Sequence, residues 1–142
     1  MNPKQLCAEL SVDKQMTPAD VARARAEGYR AIINNRPDNE EPGQPTSAEL
    51  AEAARKEGLE YVHIPVVPGQ IGESDIAAFA RALDTLPKPI VGFCKTGTRA
   101  SMLWALSRCA EAGPDTVCDA AAQAGYDLSA IRPRLQQRAA QG

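Results

Sequence analysis

Only one histidine, His63, occurs among the 142 residues, and the four cysteines at 7, 94, 109 and 118 include no pair at Cys-x-x-Cys spacing. Zinc centres are built from clustered Cys and His ligands, so no metal site is expected, nor any cofactor. No run of about 18 apolar residues is present, which excludes a membrane-spanning helix. The start, Met1-Asn2-Pro3-Lys4-Gln5-Leu6, lacks the apolar stretch of a secretion signal. Basic runs are also missing, the net charge is −2, and no basic patch is interleaved with aromatics, so a nucleic acid partner is not expected. The expected location is the cytoplasm, where the cysteines stay as free thiols. Internal repeats and low-complexity tracts are absent.

What is present suits one α/β domain over residues 1–142. The apolar fraction is 44% and the charged fraction 24%, and a chain of this size buries roughly 68–70% of its unfolded surface. Short apolar runs alternate with longer helical stretches, which predicts a mostly parallel central sheet flanked by helices. Leu10-Ser11-Val12 reads as a short edge strand. Thr17-Pro18 reads as a helix start, the helix running to about Glu27 before Gly28. Tyr29–Asn34 reads as a strand, and 36–45, with Pro37, Pro42, Gly43 and Pro45 among acids, as a loop. Thr46-Ser47-Ala48-Glu49 has capping-box spacing and opens a helix that Gly58 ends. Leu59–Val67 reads as a strand, and a third helix, capped by Glu73 or Ser74, reaches about Leu86. Pro89–Phe93 has no polar alternation and is expected at the centre of the sheet, buried on both faces. A helix then spans Arg99 to Glu111. Another follows the break at Gly113-Pro114 and stops at Gly125, and a last one covers Ser129–Arg138.

The chemistry is expected between the central strand and the helix after it, in Cys94-Lys95-Thr96-Gly97-Thr98-Arg99. Cys94 falls at the carboxyl end of its strand, where open α/β sheets bind ligands. The N–H groups from Lys95 to Ala100 would curl over a helix N-terminus, and such a nest binds anions and favours a thiolate. Gly97 lets the backbone close on a small ligand, Arg99 offers a planar fork of donors, and Lys95 adds charge at the mouth. Taken singly, each of these residues has an ordinary structural explanation, a small buried hydrophobe or a surface cation. Their order after a buried strand favours a thiolate nucleophile with an anion cradle, a device for group transfer to sulfur.

Phe93-Cys94-Lys95-Thr96-Gly97-Thr98-Arg99 resembles the active-site loop of the phosphatase-like domain of beta-lactamase-hydrolase-like proteins. Asn35-Arg36-Pro37-Asp38 through Pro45, His63-Ile64-Pro65-Val66 through Gln70, and Ala124-Gly125-Tyr126-Asp127-Leu128 through Pro133 are similar as well. The resemblance implies a fold like the dual-specificity protein tyrosine phosphatases, with Cys94 as nucleophile and Arg99 as anion binder. Related domains occur as sulfurtransferases, alone or fused to persulfide dioxygenases, so a persulfide dioxygenase partner is implied for one branch. Others are phosphatases.

The loop itself leans towards sulfur transfer. Tyrosine phosphatases carry one residue more between Cys and Arg, and the four here, Lys95 to Thr98, match the rhodanese count. Phe93 stands where phosphatases have His, and Ala100 where they have Ser or Thr, with Ser101 as a substitute hydroxyl. The general acid of dual-specificity enzymes has no counterpart in Pro68-Gly69-Gln70, and Glu73 and Asp75 follow only at a helix start. The expected reaction is therefore transfer of sulfane sulfur through a Cys94 persulfide, from a small anionic donor such as thiosulfate to a thiol acceptor. Phosphoester hydrolysis through phosphocysteine is the alternative, and a non-catalytic anion- or phosphopeptide-binding module the third reading. Arg36 is an accessory candidate for anion binding, although an ion pair with Asp38 or Glu40 explains it more simply, and Asp38, Glu40 and Glu41 could bring an acid from the 36–45 loop, although a solvated acidic loop explains them more simply. His63, Cys109 and Cys118 read as packing residues, Trp104 as core or an exposed contact surface, and no role is expected for Cys7.

Overall fold

The computed structural model describes residues 1–141. Its elements are β1 (Lys4–Gln5), β2 (Leu10–Asp13), α1 (Pro18–Ala26), β3 (Ala31–Asn34), α2 (Ser47–Glu57), β4 (Glu60–His63), α3 (Glu73–Thr85), β5 (Ile90–Phe93), α4 (Thr98–Ala112), α5 (Pro114–Gln123), a 3-10 turn (Ser129–Ile131) and α6 (Arg132–Gln141). The sheet order is β1-β2-β5-β3-β4, with β1 antiparallel and the other four mutually parallel. The all-apolar strand β5 is thus central, as its lack of polar alternation requires.

Strand alternation divides the core in two. Ile32, Val91 and Phe93 point to one face, where Met16, just ahead of α1, and Val21, Ala24, Leu50 and Ala54 from α1 and α2 cover them. Ala31, Ile33 and Ile90 point to the other, under Phe79, Leu83, Leu103, Leu106, Val117 and Leu135 from the remaining helices. The chain moves outward from β2 to β3 to β4 with its helices on the first face. It then returns from β4 to β5 through α3 on the second, as right-handed crossovers dictate. The strand order therefore reverses at β5, and the carboxyl end of β5 lies in the crevice where such sheets bind ligands.

Several boundaries differ from the sequence reading. The strand at Leu10–Asp13 is not an edge, because β1 pairs with it through Lys4↔Val12 and Gln5↔Ser11. The Leu59–Val67 strand closes at His63. Ile64 and Val66 still donate to the carbonyls of Asn34 and Asn35, but Pro65 has no N–H to give and the ladder stops. Neither Glu73 nor Ser74 caps α3. Gly72 does, its N–H held by the Asp75 carboxylate at 2.8 Å. Thr46 makes half of its capping box, accepting from the Glu49 N–H, whereas Thr17 and Asp20 make both halves at α1. Ser129 starts only the 3-10 turn, with its N–H on Asp127, and the last helix begins at Arg132.

Leu103 is fully buried beneath the helix that carries the loop. Replacing it by Ala should remove about 3 kcal/mol of stability, and Thr17→Ala about 1 kcal/mol. Urea denaturation followed by circular dichroism checks both.

Candidate active site

Parallel register brings Asp13, Phe93, Asn34 and His63 to one rim of the sheet. Two backbone bonds grip the chain where it leaves β5. Asn35 N–H donates to the Phe93 carbonyl at 2.8 Å and Gln15 N–H to the Lys95 carbonyl at 3.2 Å. Between these grips Cys94 is buried, 1% exposed. Gly97 then turns the chain into α4 with φ of 99°, a conformation that suits glycine. Its N–H points back at Cys94 Sγ, 3.0 Å away. Gly97 at the N-cap offers no side chain, and Thr96 Oγ1 takes the Thr98 N–H at 3.4 Å, so the partial positive charge of the first turn faces the loop.

Ser101 and Ala100 serve the loop from behind. Ser101 is fully buried and its hydroxyl donates to the Gly97 carbonyl at 2.8 Å. It braces the turn, and its proton goes to that carbonyl rather than to the cysteine. The Ala100 side chain is buried in the core on the α3–α6 face. The Thr96 hydroxyl donates to Thr98 Oγ1 at 3.1 Å, and Lys95 is exposed at the rim, 3.7 Å from Glu41.

Arg99 is held end-on. Its Nη1 donates to Glu40 Oε2 at 2.8 Å and to the Val66 carbonyl at 3.0 Å, and Nη2 donates to Glu40 Oε1 at 3.0 Å. A guanidinium has five N–H donors. The Nε–H and the second Nη2 proton, which form the side-on fork of the group, have no protein partner among the described residues. That fork is the geometry that grips tetrahedral oxyanions bidentately.

The same carboxylate serves a second cation. Arg36, 1% exposed, donates through Nε to Glu40 Oε1 at 2.7 Å and through Nη1 to Gln15 Oε1 at 3.0 Å. Its Nη2 lies 3.1 Å from Glu41 Oε1 but out of hydrogen-bonding alignment. Burial by itself would raise the pKa of Glu40, but the hydrogen bonds and charges of Arg99 and Arg36 outweigh it and hold the carboxyl below the ordinary range. Arg36 therefore orients Glu40, and Glu40 orients Arg99.

Asp38 does not join this group. Its carboxylate accepts the Ser47 N–H at 2.8 Å and finishes the start of α2 instead. His63 Nε2 bonds to the Arg36 carbonyl at 2.8 Å, a structural contact. Trp104 and Cys109 are buried in the core. Sequence reasoning placed Glu40 beside Arg36 but missed its bond to Arg99, which no local spacing announces. It also assigned no role to Gln15 or to Tyr126, whose ring lies against Gly97. A cavity of about 460 Å³ lined by Cys118, Asp119, Tyr126, Leu128 and Arg132, and another of about 450 Å³ between β4 and α3, are lined by neither Cys94 nor Arg99. Thiol, oriented amide and guanidinium meet instead at the loop, which is therefore the candidate site.

Glu40→Gln should lower stability at pH 7 by about 2 kcal/mol, since it removes the charge that answers two buried guanidinium groups and replaces one acceptor oxygen with an NH2. A carboxylate with a lowered pKa stabilises the fold fully above its ordinary value, near 4.5. That contribution is lost as pH falls through the lowered value. The gap between wild type and variant in urea denaturation should therefore be full at pH 7 and shrink below about pH 4.5.

The fold is shared with known phosphatase-like proteins. A candidate phosphatase from Neisseria meningitidis Z2491 superposes with a TM-score of 0.86 at 33% identity, over 95% of this chain and 96% of that one. Tk-PTP in its active form gives 0.75 at 12% identity, over 98% and 96%, a likeness of fold alone. The beta-lactamase hydrolase-like protein of Xylella fastidiosa is 45% identical over 98 residues, covering 69% of this chain. The chain spans 23% of that relative's length. Residues 3–113 match the family described as beta-lactamase hydrolase-like protein, phosphatase-like domain, and the chain belongs to that family.

Proposed function

We propose that the protein hydrolyses phosphate monoesters through a phosphocysteine on Cys94. The observation that carries this reading is the arrangement of the loop, in which the Gly97 N–H caps Cys94 Sγ and Arg99 keeps its side-on fork free. A phosphoryl group on the sulfur would lie between the loop amides and that fork, where charge spread over its oxygens in the transition state is stabilised without reorganisation. Membership of a phosphatase-like family and the likeness to the Neisseria protein support the same reading.

Sulfur transfer is the second reading, and it too has specific support. The loop has the four-residue Cys-to-Arg spacing, and the two acids that follow β4 are committed elsewhere. Asp75 holds the Gly72 N–H. Glu73 is paired with Arg138 and Arg134, which hold its carboxyl below the ordinary range. Sulfite and thiolates leave as anions without a proton, so a persulfide cycle fed by thiosulfate would need no acid. In that reading a thiol, or a persulfide dioxygenase partner, takes the sulfur away.

Both are tested on one preparation. Purified, reduced protein should release phosphate from aryl phosphates, Cys94→Ser should abolish the release, and Arg99→Lys should lower kcat/KM by about 10²-fold. Incubation with thiosulfate or glutathione persulfide, followed by intact mass spectrometry, should leave the mass unchanged. A Cys94-dependent gain of about 32 Da, one sulfur atom, without phosphate release would replace hydrolysis with sulfur transfer. Bound anion with neither reaction would leave a binding module.

A further inference from the structure

A phosphoester hydrolase needs a proton for the departing oxygen, and the loop after β4 supplies none. Tyr126, from the segment between α5 and the 3-10 turn, lies beyond residue 113, where the family match ends. Its phenol rests directly on the nucleophile loop. A Cβ built on Gly97 would fall 2.3 Å from Tyr126 Oη and 2.7 Å from Cζ, so the hydroxyl occupies the space beside the Gly97 peptide. That peptide is the one whose N–H caps Cys94 Sγ at 3.0 Å. The hydroxyl has no hydrogen-bond partner among the described residues. Tyr126 is half-buried and also lines the cavity of about 460 Å³.

On the reading that Cys94 hydrolyses phosphate monoesters, we propose that Tyr126 is the catalytic proton donor to the leaving group. Cys94 Sγ attacks phosphorus, the P–S bond forms, and the P–O ester bond breaks with its electron pair going to oxygen. Tyr126 Oη gives its proton to that oxygen, so the alcohol leaves neutral and a phenolate remains. Water then attacks the phosphocysteine, the P–S bond breaks to restore the thiolate, and the water proton returns to Tyr126 Oη. The surroundings favour the protonated phenol, so it donates only to an oxygen at least as basic as its own phenolate. Burial, the charge of the Asp13 carboxylate and that of Cys94 raise the phenol's pKa, so it starts protonated and the phenolate readily recovers a proton. Asp13 is itself kept in place by the N–H groups of Asn2 and Lys14.

A phenol this reluctant to ionise helps most when the leaving oxygen is strongly basic and least when it is already a stable anion. Tyr126→Phe keeps the ring against Gly97 and removes only the hydroxyl. Its kcat/KM should fall by about 10²-fold with an alkyl phosphate such as methyl phosphate and change little with 2,4-dinitrophenyl phosphate, giving a steeper dependence of rate on leaving-group pKa than in wild type. An equal loss with both esters, which packing damage would produce, or no loss with either, overturns the assignment while leaving Cys94 hydrolysis intact. Wild type that releases no phosphate from either ester overturns the hydrolase reading and the role of Tyr126 with it.

Discussion

Two guanidinium groups, on Arg36 and Arg99, are almost wholly withdrawn from water at the carboxyl edge of the sheet, and one carboxylate, Glu40, answers both. Buried charge is tolerated only when it is paired and hydrogen-bonded, and this constraint shapes what surrounds it. It fixes the 36–45 loop over the strand ends and brings Gln15 in as a further acceptor for Arg36. It also sets the plane of the Arg99 guanidinium relative to the Cys94 loop. The cation cluster keeps positive charge next to the sulfur, while Glu40 takes the end-on edge of Arg99 and leaves its side-on edge to a ligand.

The peptide architecture contributes the other half of the site. β5 is central and apolar, so Cys94 leaves the sheet at a point fixed by neighbours on both sides. Gly97 accepts the left-handed turn that starts α4 and aims its N–H at the sulfur. Cys94 and the amides are therefore placed by main-chain geometry, and Arg99 by a salt bridge from a distant loop. Such division lets loops change without moving the sulfur.

The sheet, its parallel sense, the central place of 89–93 and the order of the helices were legible because hydrophobic patterning and glycine or proline breaks carry them directly. So was the position of Cys94, Gly97 and Arg99 between strand and helix. Features that depend on contact between distant segments were not. Nothing local marks Lys4–Gln5 as a partner of β2, and the early end of β4 reflects a missing proline N–H rather than a change in polarity. Glu40 and Arg99 are separated by 59 residues, and Asp38, an equally good acid on paper, turns to the start of α2 because its loop points it there. Tyr126 lies in a segment that shares the family resemblance without a role attached to it, and only the folded chain brings its ring to Gly97.

The central claim is that the amides from Lys95 to Ala100 and the free fork of Arg99 form one site for a tetrahedral anion. The most direct measurement is an amide and guanidinium chemical-shift titration of Cys94→Ser with inorganic phosphate, the serine removing the reactive sulfur. Saturable shifts centred on residues 95–100 and on the Arg99 Nε–H, lost in the Arg99→Lys double variant, are the result expected. Shifts centred instead on the cavity around Asp119 and Arg132, or no saturable response in the loop, would contradict it.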